Sequence, residues 1–369
     1  MNTRIAFRAD ASLQMGSGHV MRCLTLADAL TAHGAQCHFI SREHPGHLND
    51  LIRQRGFAVA ELSAQLSELS DCREEIEESE HASWLGCDWK ADADQTRAIL
   101  VSLQPDWLVV DHYALDHQWE TALQGNYQKL MVIDDLADRT HRCDLLLDQN
   151  LGRQPQDYAH LVPAECSVLT GPDFALLRPG FATLRDYSLK RRVNPQLTQL
   201  LVTMGGMDMP NSTGHVLQAL KTSSLPADCR ITVIMGLQSP WLRQVREQSQ
   251  HMPWQTEVLV NVTDMEQRMA GSDLSIGAAG GTSWERCCLG LPTLMVVLAD
   301  NQWAGARALQ KAHAARLIGT VNEIATQLPL AIEALRQGHQ LTEMSLAASE
   351  VSNGQGVDKV LREMGILHD

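Results

Sequence analysis

The first candidate for chemistry is a histidine set one residue after a Gly-Ser-Gly turn, in MGSGHVMRC (residues 15–23). TRIAFRAD (3–10), before it, alternates apolar and polar residues as a strand does, and Val20, Leu24, Ala27 and Leu30, after it, share one face at helical spacing. Gly16, Ser17, Gly18 and His19 therefore form a strand-to-helix loop. Two glycines admit a close backbone approach there, and unpaired helix N–H groups favour an anion. A neutral imidazole is a competent general base near neutral pH, and a helix N-terminus disfavours the charged form. His19 is thus placed to take a proton from water or an acceptor hydroxyl beside a bound anion. The plainer alternative is a glycine-rich turn carrying a solvated histidine.

Two loops in the second half share this logic. GAAGGTSWE (277–285) ends a strand and opens a helix, so Gly280, Gly281, Thr282 and Ser283 would offer N–H groups and hydroxyls to a diphosphate. Glu285 falls on the first helical turn, where a carboxylate could accept both hydroxyls of a ribose. The alternative is that Thr282 or Ser283 caps the helix and Glu285 complements its dipole. MGGMDMPN (204–211), with Gly205 and Gly206, is another glycine-paired strand end, before a helix starting near Asn211. Two such loops in one half suit one diphosphate. In the first half, Asp111-His112-Tyr113 ends a strand on the same carboxyl edge as His19, and Asp134-Asp135 ends the next; both could equally be caps or solvated strand ends. His44 and His47 have metal-pair spacing but flank Pro45 and Gly46 with no evident third ligand, so no metal site is expected.

The elements that must position these residues alternate. Strands are expected at 3–8, 36–41, 57–62, 106–113, 129–135 and 143–150, with helices at 19–33, 46–55, 92–103 and 116–124 between them. An acidic segment around 73–81 interrupts the pattern as a solvated insertion or short exposed helix. A basic, Pro-containing stretch at 185–196 reads as a linker. The grammar then restarts, with strands at 199–206, 231–236, 256–262, 273–281 and 292–298 and only helices from about 320 onward. The expected fold is α/β: two Rossmann-like domains facing across a cleft. Residues 1–190 would carry the histidine and 197–340 the nucleotide, with a helical tail at 341–369.

Composition narrows the function classes. A chain of 369 residues with 44% hydrophobic and 20% charged residues suits a soluble two-domain protein. No run approaches a membrane span, and the start enters a strand directly, so neither span nor secretory leader is expected. Nine cysteines without a CxxC pair fit reduced thiols and a cytoplasmic location. A net charge of −14 argues against a nucleic-acid partner.

FRADASLQMGSGHVMRCLTLA, VVDHYALD, DDLADRTHRCDLLLDQN, FALLRPGF, VTMGGMD and GGTSWE, in this order, closely resemble the UDP-2,4-diacetamido-2,4,6-trideoxy-β-L-altropyranose hydrolases of pseudaminic acid biosynthesis, relatives of the GT-B glycosyltransferases. The resemblance covers roughly residues 3 to 310; the 73–92 region and the tail match less well. It implies a GT-B-like fold and metal-independent, inverting hydrolysis that releases UDP without a cofactor. It further implies His19 as general base, Asp111 and Tyr113 on the sugar side, and Gly206, Ser283 and Glu285 on the nucleotide. Two alternatives stand beside it: a GT-B glycosyltransferase with an acceptor other than water, and a non-catalytic nucleotide-sugar binder, against which a base in this loop argues. The sequence leaves open the oligomeric state and whether the sugar decorates flagellin or a surface polysaccharide.

Overall fold

A computed structural model describes residues 3–63, 81–336 and 339–368. The acidic stretch 73–80 thus lies outside the described residues. The chain divides into two compact units, Met1–Leu176 with Val357–Asp369, and Leu177–Gly356.

The first unit runs β1 (Arg4–Ala9), α1 (Gly18–Ala32), β2 (Gln36–Arg42), α2 (Asn49–Gln54), β3 (Ala58–Leu62), α3 (Trp89–Leu103), β4 (Trp107–Asp111), α4 (His117–Ala122), β5 (Lys129–Ile133), β6 (Leu145–Asp148) and β7 (Ser167–Thr170). Its strands form one parallel sheet in the order β3-β2-β1-β4-β5-β6-β7. Alternate residues of each strand enter opposite layers. Ile5, Phe7 and Ala9 pack with α1, whereas Ala6, Leu108 and Val110 pack towards α3 and α4. With both faces covered, β4 is buried at all five positions.

That burial corrects the alternating reading of β1. Arg8 is fully buried rather than solvent-facing. It reaches the α3 side, where Nη2 meets Asp92 at 2.7 Å and Nη1 meets Asp10 at 2.6 Å. Arg42 shares the same Asp92 carboxylate at 2.6 Å. Burial alone would raise the Asp92 carboxyl, but the two guanidiniums hold it below its ordinary range. The helix expected to open at Asp92 thus carries at that position a buried carboxylate shared by two arginines.

The second unit begins with α5 (Pro179–Arg191), where a linker was expected. Two of its arginines turn inward while Lys190 stays exposed. Arg185 donates to the carbonyls of Ser352 (2.9 Å) and Ser349 (2.7 Å), and Arg192 to those of Met269 (2.9 Å) and Ser272 (2.7 Å). There follow β8 (Gln199–Thr203), α6 (Ser212–Leu220), β9 (Arg230–Met235), α7 (Leu242–Ser249), β10 (Gln255–Val260), α8 (Met265–Gly271), β11 (Leu274–Ala278), α9 (Thr282–Cys288), β12 (Thr293–Val296), α10 (Trp303–Lys311), β13 (Arg316–Gly319), α11 (Ile324–Leu335) and α12 (His339–Val351). The sheet is again parallel, in the order β10-β9-β8-β11-β12-β13.

The boundary therefore falls at 176/177 rather than near 190. The tail divides as well. Helix α12 stays with the second unit, whereas α13 (Gly356–Glu363) inserts Val357, Val360 and Leu361 into the first unit's core. Short β7 and β13 lay outside the sequence expectations. Each is four residues long and joins a sheet edge, where little local pattern marks a strand.

In each sheet the order reverses once, at β1/β4 and at β8/β11. Loops leaving the carboxyl ends of such a strand pair diverge and open a crevice, the usual ligand position in parallel α/β sheets.

Candidate functional site

At the β1/β4 switch point, Ala9 pairs with Asp111, so the segments that follow both strands start side by side. One leads through the Gly16–Gly18 turn, with Gly16 at φ +76°, into α1, which places His19 in its first turn. His19 Nδ1 lies 2.6 Å from Asp111 Oδ1. A carboxylate can only accept, so Nδ1 carries the proton and Nε2 presents its lone pair. Among the described residues Nε2 makes no hydrogen bond, while the ring is 6% exposed. This is a histidine held by a carboxylate in the tautomer a general base requires.

Asp111 is fully buried and also accepts from Arg22, Nε at 2.6 Å and Nη2 at 2.7 Å. Burial pushes its carboxyl up, but Arg22 and His19 overcome this and hold it well below the usual carboxylate range. Arg22, one turn after His19, also pairs with Asp135 at 2.8 Å. Tyr113 donates to Asp135 at 2.6 Å and meets the His19 ring edge-on at 4.6 Å. Trp84 stacks on Tyr113 with ring centroids 5.7 Å apart, and the His81 ring meets Tyr113 edge-on at 5.3 Å. His19, Asp111 and Tyr113, singled out from sequence, thus share one cluster. Arg22 and Trp84 were missed, although the His-x-x-Arg spacing puts Arg22 on the same helical face as His19.

The remaining polar residues of this edge have structural partners. Asp134 is buried, accepts from the N–H of Ala137 at 2.8 Å and pairs with Arg139 at 2.9 Å. His44 and His47 diverge: His44 Nε2 lies 3.5 Å from Asp10, whereas His47 Nδ1 accepts from the Asn49 N–H at 3.3 Å. His112 Nε2 also faces Asp10, at 3.4 Å, and its Nδ1 accepts from the Ala114 N–H at 3.1 Å. That bond places the His112 proton on Nε2, yet His112 Nε2, His44 Nε2 and Asp10 Oδ2 lie together in the interior without a hydrogen bond among them.

In the second unit, Gly280, Gly281 and Thr282 follow β11. Their N–H groups have no hydrogen-bond partner among the described residues, and the helix N-cap is Gly281, without side-chain capping. Neither Thr282 nor Ser283 caps the helix. Ser283 Oγ instead accepts from Arg286 at 2.9 Å. Glu285 lies half-buried on the first turn of α9. Burial pushes its carboxyl up to about 7 against the pull of Arg178 and Arg286.

The loop after β8 differs from expectation. The N-terminus of α6 is already occupied: Asp208 accepts from the N–H groups of Ser212 and Thr213, both at 2.8 Å, and Asn211 from Gly214 at 3.2 Å. An anion cannot use those donors, so this loop offers only the exposed Gly205 and Gly206 backbone. Gly236 must lack a side chain here, since a Cβ would come within 2.1 Å of the Gly206 carbonyl oxygen.

The eight described cysteines are unpaired, and Cys72 lies outside the described residues. Among the described residues no helix is long and apolar enough to cross a membrane.

Residues 201–360 match the glycosyltransferase family 28 C-terminal domain. The chain is 23% identical over 303 residues to an uncharacterized protein of Methanocaldococcus jannaschii, covering 81% of this chain and 56% of that one. It is 30% identical over 159 residues to the spore coat polysaccharide biosynthesis protein SpsG of Bacillus subtilis, 43% of this chain and 45% of the other. The chain thus spans about half the length of these two curated relatives. A UDP-2,4-diacetamido-2,4,6-trideoxy-β-L-altropyranose hydrolase of Campylobacter jejuni is 25% identical over 246 residues, 66% of this chain and 73% of that enzyme. Among solved structures, MurG of Acinetobacter baumannii superposes with a TM-score of 0.67 at 18% identity, covering 100% of both chains. The fold is GT-B-like, and the similarities point to nucleotide-sugar proteins as a group.

Proposed function

We propose that this chain is a GT-B nucleotide-sugar enzyme that hydrolyses a UDP-linked 2,4-diacetamido-2,4,6-trideoxyhexose to UDP and the free sugar. The observation that carries the proposal is the His19–Asp111 pair, with the His19 Nε2 lone pair available at the β1/β4 switch point. A binding site alone has no need of an oriented base. In the proposed reaction, Nε2 takes a proton from water as the water oxygen attacks the anomeric carbon. The bond from that carbon to the phosphate oxygen breaks, UDP leaves, and the configuration inverts. Asp111 stabilises the imidazolium that forms. Tyr113 and Trp84 supply an aromatic wall suited to a sugar's apolar face. Gly205, Gly206, Gly280, Gly281, Thr282, Ser283 and Glu285 are assigned to the nucleotide, and the 25%-identical hydrolase supports the sugar class.

Reaction in ¹⁸O-labelled water tests this. Label is expected in the sugar and absent from UDP, and label in UDP would mean cleavage at phosphorus. The family 28 match favours a second reading, transfer to an acceptor hydroxyl. UDP release without any acceptor decides for hydrolysis; strict acceptor dependence decides for transfer.

A further inference from the structure

Beside Ser283 lies a buried charge with no carboxylate at ion-pair distance among the described residues. Arg286 of α9 is 1% exposed. Its Nη2 donates to the Ala278 carbonyl at 2.6 Å and to Ser283 Oγ at 2.9 Å. Nε and Nη1 are buried without a hydrogen-bond partner, and no carboxylate among the described residues forms an ion pair with the guanidinium. The space for it exists because residue 277, inside β11, is glycine: a Cβ there would lie 2.0 Å from Nη1.

Other buried arginines of this chain are treated differently. Arg8 is paired with two carboxylates; Arg192, which also has no carboxylate at ion-pair distance and an unpartnered Nε, has both terminal nitrogens on the carbonyls of Ser188, Met269 and Ser272, whereas Nη1 of Arg286 has none. A buried guanidinium without a counter-charge is costly. Burial pushes the Arg286 pKa down to about 10, which still leaves it charged at neutral pH. Such a charge is tolerated where a ligand supplies the missing partner, and Ser283, to which the guanidinium donates, directly follows the unpartnered N–H groups of Gly280, Gly281 and Thr282 in the chain.

We propose that Arg286 is the buried counter-charge of the nucleotide's diphosphate and the positioning residue for Ser283, with Gly277 as the cradle that admits it. Because Ser283 Oγ accepts from the guanidinium, its own hydroxyl proton is turned away and is free to be donated to a phosphate oxygen. The guanidinium and Ser283 are themselves buried, so solvent screens the charge little over the short distance between them. This inference rests on the nucleotide-binding reading above.

Calorimetric binding of UDP, uridine and pyrophosphate, with melting of the full chain with and without UDP, tests it on Arg286→Met, Arg286→Lys and Gly277→Ala. Arg286→Met is expected to lose roughly 10- to 100-fold in affinity for UDP and pyrophosphate, the range for a charged partner, while uridine affinity stays within about twofold. Its ligand-free form should melt no lower than wild type, because an unpaired buried charge has gone, yet gain less on adding UDP. Arg286→Lys should recover part of the pyrophosphate affinity, and Gly277→Ala, which displaces the guanidinium, should reproduce the selective loss. Equal loss of uridine and UDP, or unchanged UDP affinity, overturns the proposal and leaves Arg286 a loop anchor. If Arg286→Met does not fold, Gly277→Ala decides by the same two outcomes. Wild-type protein that binds pyrophosphate but not UDP removes the uridine-nucleotide reading alone; binding of neither removes both.

Discussion

Replacing Asp111 with asparagine keeps the shape of the buried side chain and removes its charge. Asp111 accepts from His19 at 2.6 Å, from Arg22 at 2.6 and 2.7 Å and from the Cys23 thiol at 3.7 Å, four contacts to a carboxylate that can only accept. The amide has one oxygen. If that oxygen stays with Arg22, the NH₂ group faces His19 Nδ1 and selects the tautomer with the proton on Nε2, which cannot act as a base. The turnover number is then expected to fall by about 10²- to 10⁴-fold, or ~3 to 5.5 kcal/mol of barrier, with little change in UDP affinity. Arg22 then keeps Asp135 as its one charged partner among the described residues, so the fold should lose ~3 kcal/mol. Because the Asp111 carboxyl is held well below the ordinary range, its contribution is fully present above the unfolded value and is lost only as pH falls through the depressed one. The contribution of this carboxyl's own ionisation should therefore stay constant from about pH 5 to 8. The assay is UDP release from the UDP-sugar, run on Asp111→Asn, His19→Asn and the double variant. Residues acting as one unit give non-additive losses, so the double variant should fall no further than about threefold below the worse single one. A folded Asp111→Asn enzyme within about fivefold of wild type, or losses that multiply, would refute the dyad.

Three further outcomes follow from the buried groups. The Glu285 carboxyl sits at about 7 against an ordinary 4.5, so the folded state keeps a proton that the unfolded chain releases, and wild type loses stability as pH rises through this window. Glu285→Gln should therefore melt higher at pH 8, by up to ~3 kcal/mol before allowing for partial exposure, and show no gain at pH 4, while UDP binds roughly 10- to 100-fold more weakly; calorimetry and pH-dependent melting check both. Asp92→Asn leaves Arg8 and Arg42 short of a buried partner and should cost about 3 to 5 kcal/mol in urea unfolding above pH 5, whereas a loss under 1 kcal/mol would mean the cluster is not stabilising. Exhaustive EDTA treatment should leave UDP release intact, because backbone N–H groups and Arg286 face the diphosphate in this proposal; loss of activity restored by Mg²⁺ would count against it.

The alternation of strand and helix was legible in the sequence because parallel sheets are written as short apolar runs separated by periodic helices. The glycine-paired strand ends were equally legible, since turns of that kind demand particular residues. His19 could be placed at a helix start for the same local reason. Local pattern does not say where a polar side chain ends up once both faces of a sheet are covered. Arg8 stood at a polar position of an alternating strand and Asp92 at an expected helix start, yet tertiary packing buries both and pairs them. Basic residues of α5 read as a linker because their carbonyl partners lie 77 to 167 positions away in the chain. The loop at 204–211 looked like an open anion site until folding turned Asp208 back onto the first N–H groups of α6. The partner of His19 is 92 residues distant, and only the strand order β1-β4 sets Asp111 beside it. Sequence spacing reports contacts along one element, whereas the charge, tautomer and free donors of a site are decided by what other elements bring within about 3 Å.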